Sequence, residues 1–126
     1  MLIVQKFGGS SVANAERVFN VAKRIIETYD KGNDVVVVLS AQGDTTDDLL
    51  AKAAEINENA SKRELDMLLS TGEQQSVALM AMAIQKLGRN AISLNAAQVG
   101  IESTSTYSNA KIKWIWSYKK NKSIKS

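Results

Sequence analysis

Lys6-Phe7-Gly8-Gly9-Ser10-Ser11 gathers a cation, two residues without side chains and two hydroxyls in one short stretch, directly after the apolar run Leu2-Ile3-Val4. These are the parts of an anion site. Glycine lets backbone N–H groups approach phosphate oxygens, and the lysine adds positive charge. A strand-to-helix turn whose glycines serve only geometry accounts for the same residues, since short glycine motifs recur by chance. A second polar stretch, Ser40-Ala41-Gln42-Gly43-Asp44-Thr45-Thr46-Asp47, offers hydroxyls and a helix start. Asn95-Ala96-Ala97-Gln98 is a third, and Ser70-Thr71-Gly72-Glu73 adds a further hydroxyl and a lone carboxylate. Together this set could grip an anion and a small polar molecule. Taken singly, Thr45 and Thr46 read as helix caps, Asp47 and Asp48 as compensation of a helix dipole, and Glu73 as a solvated helix start. Neither the Walker pattern Gly-x-x-x-x-Gly-Lys-Ser/Thr nor the dinucleotide pattern Gly-x-Gly-x-x-Gly occurs, so a phosphate site here is of another kind.

The elements that must hold these residues are those of a parallel α/β sheet, where ligands collect at the carboxyl ends of strands. Leu2 to Phe7 reads as a strand covered on both faces. Val12, Ala15, Val18, Phe19, Ala22, Ile25, Ile26 and Tyr29 recur at three- and four-residue steps and predict one helical face. Ser11 or Asn14 can cap that helix, and Gly32 can stop it. Val35-Val36-Val37-Val38-Leu39 predicts a central parallel strand, completing a right-handed βαβ unit. A second helix is expected from Thr45 or Thr46, turning Leu49, Leu50, Ala53, Ala54 and Ile56 inward. Two further helical stretches, Lys62 to Ser70 and Glu73 to Leu87, are separated by Ser70-Thr71-Gly72-Glu73, and the methionines read as core filler. Gly88 ends the second of these, and Ala91-Ile92-Ser93-Leu94 predicts a third strand. Gln98 to Glu102 reads as a short extended piece and Ser103 to Asn109 as a polar loop. From Trp114 onward there is neither helical nor strand periodicity.

Composition narrows the chemistry. The chain of 126 residues suits one domain or a piece of one, and its 44% apolar and 23% charged residues are those of a globular protein. It contains no cysteine and no histidine, which removes thiolate and imidazole nucleophile relays and ordinary zinc sites. No apolar run is long enough to span a bilayer or to serve as a signal peptide, so a cytoplasmic location is expected. The net charge of +3 is uneven, because six lysines fall in the last sixteen residues and leave 10 basic against 13 acidic residues before Lys111, a balance of −3. Nucleic-acid binding is disfavoured on that ground, and only the tail permits it.

Three segments then stand together: Lys6 to Val12, Val35 to Asp47, and Arg63-Glu64-Leu65-Asp66-Met67-Leu68-Leu69-Ser70-Thr71-Gly72-Glu73-Gln74. In order and spacing they resemble the N-terminal part of aspartokinase. The resemblance runs on through Leu87-Gly88, Ala91 to Leu94 and Gln98-Val99-Gly100-Ile101 to Ala110-Lys111-Ile112. It implies the amino-acid kinase (carbamate kinase-like) fold, an open, mostly parallel β-sheet sandwiched by helices, here as a partial domain. It also implies transfer of the ATP γ-phosphoryl group to the side-chain carboxylate of L-aspartate, giving 4-phospho-L-aspartate for lysine, threonine and methionine biosynthesis. By the same resemblance Lys6 stabilises the phosphoryl group in flight. Phe7, Gly8, Gly9, Ser10 and Ser40 lie with Lys6 at the ATP phosphates, and Thr45, Thr46 and Glu73 receive aspartate. Mg²⁺ is implied by the reaction rather than by a visible ligand set. Family members continue into the rest of the kinase domain and regulatory ACT domains. The expectation is therefore a truncated chain: residues 1–112 the N-terminal part of the kinase domain, residues 113–126 an atypical basic tail, with too little of the nucleotide site for efficient turnover alone. The alternatives are a non-catalytic nucleotide- or anion-binding module or an inactive fragment that associates with other chains, including copies of itself, through an exposed sheet edge.

Overall fold

A computed structural model describes residues 1–95, 101–103 and 112–115. Strand β1 (Leu2–Phe7) and strand β2 (Asp34–Leu39) pair in parallel, from Leu2 opposite Asp34 to Phe7 opposite Leu39. Helix α1 (Ala15–Asp30) makes the crossover between them. Its start is set by Asn14, whose side-chain oxygen accepts the Arg17 N–H at 3.0 Å, with Glu16 in the positive first turn. Its end is set by Gly32, whose φ of +91° is the left-handed conformation that glycine adopts without a Cβ penalty. Between β1 and α1 the chain makes a short 3₁₀ turn, Gly9–Val12. Helix α2 (Thr45–Ile56) and helix α3 (Lys62–Lys86) follow β2. Ile101–Ser103 (β3) and Ile112–Ile115 (β4) form a separate antiparallel pair, with Ile101 opposite Ile115 and Glu102 opposite Trp114.

The core lies where α1 and α3 meet one face of the sheet: Val12, Val18, Val21, Ala22, Ile25, Leu39, Met80, Ala83 and Ile84 are buried together, with Phe7, Val35 and Val37 packed against them. Burying one such side chain contributes about 1.5–3 kcal/mol, so this cluster is what fixes the two helices on the sheet. The bidentate pair of Arg89 with Asp30, at 2.9 and 2.8 Å, ties the end of α1 to the segment after α3.

Several expectations are corrected. The β1 strand alternates rather than being covered on both faces: among the described residues Leu2 (47% exposed), Val4 (63%) and Val38 (46%) leave one sheet face open. The Ser70 to Glu73 stretch does not interrupt anything, because α3 is continuous for 25 residues. The hydroxyls of Ser70 and Thr71 each donate at 2.7 Å to the carbonyls of Met67 and Leu68, so they stay within the helix instead of competing with it. Ala91 to Leu94 forms no strand, having no ladder partner among the described residues; Ala91 leans on the core and its carbonyl accepts the Gln85 amide at 3.2 Å. Of the α2 residues expected to turn inward, only Leu49 and Ala53 are half-buried, while Leu50, Ala54 and Ile56 are exposed, because among the described residues α2 packs chiefly on α3. Ala15 and Tyr29, at the ends of the α1 face, are exposed as well. Of the methionines only Met80 fills the core; Met67 and Met82 are exposed. Where no strand periodicity was expected, Trp114 and Ile115 belong to β4. Ile101 and Glu102 of the expected extended piece lie in β3, as does Ser103, the first residue of the expected loop. Residues 96–100, 104–111 and 116–126 lie outside the described residues, and with them most of the third polar stretch, the remainder of the expected loop and most of the basic tail.

Candidate functional site

Parallel pairing brings the carboxyl ends of β1 and β2 to the same edge, and the two turns that leave them are stitched together. The Phe7 carbonyl accepts the Ser40 N–H at 3.3 Å, which carries the ladder one step past the strands, and the Gly9 carbonyl accepts the Gly43 N–H at 3.0 Å. The Gln42 side-chain amide donates to the Val12 carbonyl at 2.8 Å, and the Arg17 guanidinium donates to the Ser10 carbonyl at 2.6 Å. The 3₁₀ turn is therefore held from both sides, by α1 and by the turn after β2.

The two glycines of that turn differ in kind. A Cβ on Gly9 would fall on the Ala41 carbonyl oxygen closer than atoms can approach, so close packing of the two turns requires glycine there. A Cβ on Gly8 would meet nothing within 4 Å, and its backbone (φ −76°, ψ 169°) suits any residue. Neither packing nor conformation accounts for Gly8. What remains is open space in front of a backbone that turns back through the Ser11 N–H bond to its carbonyl at 3.1 Å.

Helix α3 approaches the same edge at Gly72. A Cβ there would lie 2.9 Å from the Ala41 Cβ and 3.3 Å from the Thr45 methyl. The next residue along α3 is Glu73, exposed, and Thr46 is exposed in the first turn of α2 beside the half-buried Thr45. The structure thus brings Gly9 and Gly72 against Ala41, with Thr45 beside Gly72 and Ser40 bonded to Phe7, and Gly8, Ser10, Thr46 and Glu73 are the chain neighbours of these residues. Lys6 stands apart in one respect: it is opposite Val38 on the outward side of β1, sharing the open sheet face with Leu2 and Val4. Its ammonium has no hydrogen-bond or ion-pair partner among the described residues. A cation and a carboxylate without partners, set around a turn with open backbone, can hold an anion and an ammonium group.

Arg17, Ala41 and Gln42 are the supporting residues that motif reading passed over. Arg17 sits seven residues from Ser10 with no local signal for their contact, whereas Ala41 and Gln42 lay inside the small, polar stretch after β2. An apolar cleft of about 280 Å³ lies beside this edge, lined by Ala15, Val18, Phe19, Gln42, Leu79, Met82 and Ala83. It is lined by residues of both α1 and α3 and offers no charged group, so it is not where an anion would go. Among the described residues no three carboxylates converge on a metal position, so no protein-held cation cage is present there.

The βαβ unit with its ligand-type edge defines the class: the chain belongs to the amino acid kinase family, whose model matches residues 1–122. Within that family the similar proteins are aspartokinases. That of Mycolicibacterium smegmatis is 58% identical over 111 residues, covering 88% of this chain and 26% of that protein. That of Geobacillus stearothermophilus is 55% identical over the same length. The chain thus spans about a quarter of the length of the curated relatives it matches. Among solved structures, the aspartate kinase from Synechocystis superposes with a TM-score of 0.77 at 54% identity, over 80% of this chain and 17% of that one. Aspartokinase III of E. coli, solved with aspartate and ADP, gives 0.76 at 20% identity over 89% of this chain and 35% of that one, a likeness of fold.

Proposed function

We propose that this chain forms one wall of an aspartate kinase site, in which the γ-phosphoryl group of ATP passes to the side-chain carboxylate of L-aspartate. The observation that carries the reading is the stitching of the turn after β1 to the turn after β2 and the seating of Gly72, the neighbour of Glu73, against Ala41 and Thr45, with Lys6 unpaired among the described residues at the end of β1. In the reaction a carboxylate oxygen bonds to the γ-phosphorus as its bond to the bridging oxygen breaks, and ADP leaves. No proton moves, because the carboxylate is already ionised near neutral pH, so the lack of histidine costs nothing. The work left to the protein is positioning and neutralisation of charge. Lys6 does the second, at the transferred group. The open backbone at Gly8 and Gly9, with Ser10 and Ser40, holds phosphate oxygens. Thr45 and Thr46 offer hydroxyls to the substrate, and Glu73 faces its ammonium with the opposite charge. Magnesium accompanies ATP in such transfers and shields phosphate charge; with no carboxylate cage among the described residues, it would be carried on the phosphates.

A second reading is favoured by the sheet face left open beside Lys6: a non-catalytic module that binds nucleotide or anion without transferring anything. Trapping of aspartyl phosphate as its hydroxamate, in the presence of ATP and L-aspartate, separates the two. Turnover that falls about 10²–10³-fold in Lys6→Ala is the outcome expected of the kinase. Bound ATP without turnover favours the module, and neither binding nor turnover overturns both.

A further inference from the structure

Glycine in the middle of a helix is unfavourable relative to alanine, and Gly72 stands in the interior of the 25-residue α3 with no turn or positive φ to explain it. Its explanation is a contact. Gly72 is buried against Ala41, and an added Cβ would sit 2.9 Å from the Ala41 Cβ, where 3.4–4 Å is ordinary contact. Ala41 is at the same time pressed from its other side, since its carbonyl oxygen fills the space where a Cβ on Gly9 would be. One residue therefore separates the turn after β1 from helix α3, and it does so with no slack on either side. Two residues on, the Gly43 N–H donates to the Gly9 carbonyl at 3.0 Å and closes the same joint.

We infer that Gly72 is a positioning residue that acts through Ala41: its bare backbone lets α3 seat against the turn after β2, which sets Glu73 relative to Thr45 and, through the Gly43 to Gly9 bond, sets both relative to the phosphate turn. The link to substrate rests on the reading of Glu73 and Thr45 given above, whereas the joint itself does not. A Cβ at position 72 pushes either α3 outward or Ala41 toward Gly9, and Ala41 has nowhere to go, because what it would meet is backbone. Removing the Ala41 Cβ relieves the closest contact and leaves the Thr45 methyl, at 3.3 Å, to give by a few tenths of an ångström, so most of the defect should be repaired by a second substitution at a residue that bears no functional group.

The test uses Gly72→Ala, Ala41→Gly and the double variant, with two readouts. The first, independent of any ligand, is hydrogen exchange of the Gly43 amide, referred to the global stability of each variant from urea unfolding. Protection is expected to fall at least about tenfold in Gly72→Ala beyond any change in global stability, and to recover in the double variant. The second is L-aspartate affinity by calorimetry, expected to weaken about tenfold in Gly72→Ala and to return to within about threefold in the double variant. Unchanged Gly43 protection in a folded Gly72→Ala variant overturns the joint, and so does a double variant no better than the single. Altered and rescued protection with no aspartate binding by any form, wild type included, upholds the joint and removes the substrate reading instead.

Discussion

At positions 8 and 9 two neighbouring glycines face opposite demands. Gly9 is required by the Ala41 carbonyl oxygen, and no contact among the described residues requires Gly8. Gly8→Ala should therefore fold with a urea midpoint close to that of the parent and, on the proposed reading, lose ATP affinity about tenfold or more, since a methyl group would then stand in the open space assigned to phosphate. Gly9→Ala should lower the midpoint itself, by the cost of overpacking, about 1–3 kcal/mol. Equal ATP affinity in Gly8→Ala and its parent would remove the phosphate role from this turn. From order alone the residue types at this edge could be read as parts of an anion site or as a plain strand-to-helix turn, and both readings stood. The division of labour between the glycines was not legible. It depends on where Ala41 lies in space, and nothing in a sequence records that a carbonyl thirty-two positions away fills one Cβ position and leaves its neighbour empty. The same holds for Arg17, whose hold on the Ser10 carbonyl crosses a turn with no pattern of its own.

Among the elements, α1 and β2 declared themselves through periodicity and through a run of branched residues, and Asn14 and Gly32 act as start and stop as their types suggest. Helix α3 did not. Ser-Thr-Gly is the vocabulary of a turn, and it stays helical here because two hydroxyls bond back to carbonyls three residues earlier while the glycine is spent on a contact. The segment after α3 failed in the other direction, since strand-like composition makes no strand where no ladder partner lies alongside. What anchors that segment instead is the Arg89 to Asp30 pair. The hydrogen bond from Arg89, helped by its charge, holds the Asp30 carboxyl below its ordinary value, and Arg89 is raised in turn. A depressed carboxylate stabilises the fold at pH values above that of the unfolded group, about 3.9, and loses its contribution as pH falls through the lower folded value. Asp30→Asn should accordingly be less stable than the parent at pH 7 and converge with it once pH has fallen below the lowered folded value, and added salt should shrink the difference because both partners are exposed. Urea midpoints taken across that range check it. A difference that persists unchanged into acid would mean that the pair is structural through its shape rather than its charge.

The described residues form an α/β unit, a two-stranded parallel sheet with α1 and α3 against one face, together with a separate two-stranded antiparallel pair. That class was legible from the alternation of strand and helix signals. The expectation of a strand covered on both faces was not met, because Leu2, Val4 and Val38 lie on an open face, and Lys6 shares it. Apolar β-branched composition tells what a strand is suited to, and not which of its faces the residues at hand will cover. Among the described residues no helix is long and apolar enough to cross a membrane. On the proposed reading the edge draws on four elements, β1, β2, α2 and α3, that meet near Ala41, so phosphate and amino acid would be held by parts of the chain that should fail separately when their own residues are changed. Calorimetric titration of ATP and of L-aspartate into the parent chain, Lys6→Ala and Glu73→Gln measures this directly. Lys6→Ala should weaken ATP about ten- to a hundredfold and leave L-aspartate unchanged, and Glu73→Gln should do the reverse. A parent chain that binds neither ligand, or variants that bind both as the parent does, would contradict it.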